Sequence, residues 1–158
     1  MNPLIEIQEA WDEFCNDNTE LYDDIHNGDI NLFCINEIIN SAIEIEQTII
    51  ESKRKIDSEA KHQIMDELSL MFENISLVCS KIGLKHIVRL STPKRFSKEQ
   101  ILEYLINRLI NTRKAIKSYS EEIISKDILE ENLPIIIEIM FGYCKSLELY
   151  VPEILKKT

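Results

Sequence analysis

Apolar residues recur three and four positions apart through almost the whole chain, and this period restricts it to helices that bury one face against one another. Leu4, Ile7, Trp11, Phe14, Leu21 and Ile25 mark the first stripe. Cys34, Ile38, Ala42, Ile45, Ile49, Ser52 and Ile56 mark the second, with Ile35, Ile39, Ile43 and Ile50 widening it. Ile64, Leu68, Met71, Ile75, Val78 and Ile82 form the third, with Met65, Phe72 and Cys79 beside them. Leu102, Leu105, Leu109 and Ile116 form the fourth, flanked by Ile101, Ile106 and Ile110, and Ile136, Met140, Tyr143, Leu147 and Val151 the fifth. Residues 84–96 lack the period, and Thr92-Pro93 predicts a turn there, with short extended structure around Ile87-Val88-Arg89-Leu90.

The punctuation agrees. Only 3 Gly and 4 Pro occur, too few for a turn-rich β-sandwich. Asn2-Pro3 reads as a helix start, Asn27-Gly28 as a stop, Asp57 or Ser58 as a cap, and Gly83 as another stop. Ser97-Lys98-Glu99-Gln100 fits a capping box. The second helix is expected to end near Lys55 and the fourth to run on toward Ile124. Asp127 is the next cap candidate, Pro134 predicts an irregular start to the last helix, and Pro152 its end. The expected fold class is all-α: an up-down antiparallel bundle of four long helices plus a fifth, forming a single domain over residues 1–158. Isoleucine occurs 28 times against 4 Ala, so packing rather than local propensity must supply most helix stability.

The amino-terminal residues carry acids and no base, unlike a secretory leader, and the most apolar run, Leu133–Cys144, is too short to cross a bilayer. A cytoplasmic protein that neither spans nor binds membrane is therefore expected. Cys15, Cys34, Cys79 and Cys144 lie far apart with no C-x-x-C pair, and read as small core hydrophobes in a reducing compartment.

Charge is segregated along the chain. Residues 1–51 hold 13 acids and no Lys or Arg, whereas residues 81–117 hold 10 bases and 2 acids, within a net charge of −10. Glu9, Glu13, Asp17, Glu20 and Asp24 follow helical spacing and form one acidic stripe on the first helix. Like charges at that spacing cost about 0.2–0.5 kcal/mol per pair, so the stripe costs on the order of 1–2 kcal/mol. Two offsets suit it: the basic fourth helix inside the fold, or a basic protein partner, whose association complementary charge would also speed.

Other chemistry has thinner support. Lys85, Arg89, Lys94, Arg95 and Lys98 flank a loop that ends at a helix start, where free N–H groups favour an anion. Arg108, Arg113, Lys114 and Lys117 extend that charge, giving an alternative reading of residues 81–117 as a nucleic-acid or phosphate-binding segment. The sequence pI of about 4.8 opposes it. A metal-binding bundle enzyme is the third reading. Glu59-x-x-His62 matches half of a di-iron motif, Asp23-x-x-His26 is the nearest second half, and His26, His62 and His86 would have to converge. Isolated glycines exclude phosphate-loop and dinucleotide fingerprints, and no nucleophile elbow occurs. No catalytic, cofactor-binding or metal residue is therefore assigned, and no cofactor is expected.

A small acidic helical bundle with such a stripe resembles immunity proteins and antitoxins that block basic nucleases. The likeness lies in composition and architecture and transfers no residue roles. The reading that follows is a non-enzymatic interaction module that inhibits or regulates a basic protein partner through Glu9, Glu13, Asp17, Glu20 and Asp24. A homo-oligomer is compatible with it.

Overall fold

The computed structural model describes residues 3–23, 30–52, 56–85, 96–118 and 122–156. These form helices α1 (Pro3–Asp23), α2 (Ile30–Glu51), α3 (Ser58–Ile82), α4 (Lys98–Ser118), α5 (Glu122–Ser146) and the short α6 (Val151–Leu155). The chain is an all-α helical bundle, with no strand among the described residues.

The ends of α3 and α4 follow local chemistry. The Asp57 carboxylate accepts from the Ala60 N–H at 2.8 Å, satisfying an otherwise orphaned donor. Gly83 closes α3 with φ +73°, and the N–H of Leu84 returns to the Cys79 carbonyl at 2.9 Å. At α4 the capping box forms reciprocally. Ser97 Oγ accepts from the Gln100 N–H at 3.2 Å, and Gln100 Oε1 accepts from the Ser97 N–H at 2.9 Å.

The carboxy-terminal third differs from the sequence expectation. α4 is described as far as Ser118, Ile124 lies in α5, and α5 is already under way at Asp127, which is exposed inside it and not a cap. Pro134 lies within α5, twelve residues from its start, and does not make an irregular start. The ring removes the backbone bond to Glu130, but Leu129, Leu133, Ile136 and Ile137 are all fully buried around it, and packing outweighs that loss. After Ser146 the chain reverses through Glu148 at φ 58°, with the Leu149 N–H donating to the Cys144 carbonyl at 2.9 Å. Pro152 then sits in the first turn of α6, where a missing N–H costs nothing, instead of marking a helix end.

α3 is the centre of the bundle, packing on α1, α2, α5 and α6. α2 packs on α3 and α4, and α5 on α4. Trp11, Phe72 and Phe141, from α1, α3 and α5, meet with centroids 5.5–5.9 Å apart at the heart of the core. Most expected core positions that are described are buried, but Ile43 and Ile50 are exposed at 39% and 62%: they lie on the flank of the α2 stripe that no helix covers among the described residues.

The last two turns of α2 and the early turns of α3 line one groove, from Glu44 to Glu51 and from Gln63 to Glu67, as they do when a short connection turns α3 back antiparallel along α2. α3 and α4 start at the same end of the bundle, where Lys61 and Lys98 border one pocket with Leu147 and Leu149. Short connections force antiparallel neighbours, but residues 83–97 form the longest connection in the chain, with the reach to return along the bundle. His26, His86 and the possible extended segment Ile87–Leu90 lie outside the described residues.

Candidate protein-interaction face

α1 contains no basic residue and turns its apolar side inward. Ile7, Trp11 and Phe14 are buried, which places Glu9, Glu13 and Asp17 on the outer side, all exposed. Glu20 lies in α1, though its side chain is outside the described set, and Asp24 is outside the described residues altogether.

α1 packs on α3 and α6, whereas α4 packs on α2 and α5, and the two do not touch among the described residues. Among the described residues α4 therefore does not neutralise Glu9, Glu13 or Asp17, which corrects the first of the two offsets raised by the sequence for that part of the stripe. The reason is topological: α3 and α2 stand between them. Glu9, Glu13 and Asp17 make no salt bridge to a described lysine or arginine. Two neighbouring acids are engaged. Asp12 accepts from Gln8 at 3.0 Å, and Glu6 accepts from the Tyr150 hydroxyl, which raises that phenol's pKa.

The seam between α1 and α6 opens into a groove of about 260 Å³. Ala10, Phe14, Pro152 and Leu155 form its apolar floor, with Glu13 and Asp17 on one rim and Lys156 on the other. Farther along, the same seam opens again over Ile7, Phe141, Leu149 and Val151. The groove was not legible in the sequence, because it needs α6, a helix the periodicity did not separate from α5.

The basic segment is dispersed. Lys85 and Lys98 are exposed, while Arg89, Lys94 and Arg95 lie outside the described residues. Arg108 donates from Nε to Asn132 Oδ1 at 3.0 Å, and Arg113 donates from Nη1 to Asn36 Oδ1 at 3.1 Å. Both guanidinium groups thus serve helix packing. Lys114 and Lys117 are exposed. The start of α4 is capped by its own side chains and carries Glu99, so it is poorly disposed to an anion. Lys98 instead faces a pocket of about 380 Å³ shared with Lys61, a pairing across two helix starts that sequence spacing does not reveal.

A second acidic patch lies between α2 and α3. Glu44 and Glu51 on α2 face Asp66 and Glu67 on α3 across a polar groove. The acids of each helix follow helical spacing, but their meeting depends on interhelical register. His62 is exposed and adjoins Gln63, where the α3 side of that groove begins. Among the described residues no group of three His, Cys, Asp or Glu converges in a way that could hold a metal ion.

All four cysteines are free thiols. Cys34, Cys79 and Cys144 are buried, and Cys15 is half-buried against the core. Burial pushes Cys144 up to about 12. It does the same for Cys34, where Glu37 adds to the rise and Lys81 opposes it. Cys15 reaches about 12 through burial and the nearby Asp12, and Cys79 is raised by burial too. Such thiols are poor nucleophiles. No helix in the described residues is long and apolar enough to cross a membrane.

No protein-family model, curated protein or solved structure matches this chain.

Proposed function

We propose that this chain is a non-enzymatic cytoplasmic interaction module that binds a basic protein partner through the outer face of α1 and so inhibits or regulates it. The observation that carries the reading is the exposure of Glu9, Glu13 and Asp17 on a helix without a single base, on the side of the bundle away from α4. With no described base in a salt bridge to them, these carboxylates repel one another in the free protein, and a cationic partner relieves that repulsion. The inhibitor style of acidic immunity proteins fits the same arrangement.

The test is a titration of a labelled lysine-rich helical peptide into the full chain, read by fluorescence anisotropy. Wild type binds, and affinity falls as salt shortens the Debye length below about 8 Å. Glu13→Lys with Asp17→Lys abolishes binding while circular dichroism stays unchanged. Equal binding by wild type and the double variant would refute the reading.

A further inference from the structure

We infer that the groove between α1 and α6 receives a large apolar side chain from a cationic amphipathic segment of another protein. Glu13 and Asp17 then pair with lysine or arginine one turn to either side of that anchor. This rests on the reading of α1 as the docking face, and adds the chemistry of what docks.

The floor is apolar and built from both helices: Ala10 and Phe14 from α1, Pro152 and Leu155 from α6. Its volume of about 260 Å³ exceeds that of one leucine or phenylalanine side chain. The rim decides which apolar group enters. Glu13 and Asp17 stand one turn apart on the same edge, both exposed, neither held by a described base in a salt bridge. An uncharged hydrophobic segment leaves that repulsion in place, and an anionic surface worsens it. A segment with an apolar residue flanked by cations at helical spacing satisfies floor and rim together. Lys156 on the opposite rim supplies the chain's own cation to the same groove. It offsets part of the rim charge, and so competes with an incoming lysine.

Two lysine-rich helical peptides of equal charge test this, one with a central leucine on its contacting face and one with serine there. The leucine peptide should bind the full chain about tenfold more tightly, the scale expected for burying one such side chain. Ala10→Trp fills the groove and leaves every charge in place, so it should erase that preference. Ala10→Leu is a smaller plug for the same purpose if the tryptophan variant does not fold. Lys156→Ala should tighten both peptides more than Lys114→Ala, which changes net charge equally on α4. Equal affinity for the two peptides overturns the groove while leaving the acidic face standing, and failure of both to bind overturns both readings. A leucine preference that survives Ala10→Trp or Ala10→Leu overturns the groove assignment. Self-association of the chain alone, lost on plugging the groove, would make the occupant a second copy and overturn the partner named here.

Discussion

Arg113 on α4 reaches Asn36 on α2, its Nη1 donating to Oδ1 at 3.1 Å. The bond ties the cationic helix to α2, on the far side of the bundle from the acids of α1. The acids of α1 and the cations of α4 are thereby held apart among the described residues, although α4 packs on α2, the other half of the acidic segment.

That separation makes a stability prediction. Reversing Glu9, Glu13 and Asp17 to Lys places no charge against α4, so each change should move stability by less than about 0.5 kcal/mol. Thermal melting should show a midpoint close to wild type. A large loss, restored by reversing Lys114 and Lys117 to Glu, would mean that the two helices meet in solution.

Trp11 is 2% exposed and packs against Phe14, Phe72 and Phe141, each with a centroid separation of 5.9 Å. Trp11→Ala should cost about 3–5 kcal/mol in urea unfolding, because three helices lose a shared contact and a cavity remains. Native emission should be blue-shifted and move red on unfolding.

The thiols give a pH dependence. Cys34 and Cys144 are raised from 9.0 to about 12, so folding keeps their protons on. In the unfolded chain they ionise near 9, and between that value and 12 the native state binds more protons. Their contribution is fully present below pH 9.0 and declines as the pH rises toward about 12. Replacing both with Ala, at some cost in packing, should flatten this alkaline limb in denaturant titrations. With a disulfide reagent at neutral pH, half-buried Cys15 should react before the other three.

Gly83 holds φ +73°, yet a Cβ there meets nothing within 4 Å. Gly83→Ala should therefore cost about 1–2 kcal/mol through backbone strain alone. Gly83→Asn should cost less, since Asn tolerates that region better. Equal stabilities of wild type and both variants, measured by calorimetry, would show that the left-handed cap is dispensable.

The sequence made the core of α3 legible almost residue by residue. Ile64, Leu68, Met71, Ile75 and Val78 are all buried, because helical period maps directly onto one face. Asp57, Ser97 with Gln100, and Gly83 were readable for the same reason, as caps act within a few residues. Pro134 was misleading: its local penalty is real, but the burial of Leu133 and Ile136 belongs to packing that no local rule contains. The acids of α1 were legible as a stripe, whereas the apolar groove beside Glu13 and Asp17 was not.

Helical period, capping chemistry and charge order along the chain are local properties, and the sequence alone determined them: an all-helical protein with an acidic first helix and a basic fourth. Tertiary structure alone decided which helices touch. It set α3 between the charged helices, started α4 at the same end as α3, and folded Val151–Leu155 back beside α1. Those choices depend on interhelical packing and on the reach of the connections, which couple residues far apart in sequence. Charge separation and the α1–α6 groove arise only once that coupling is made.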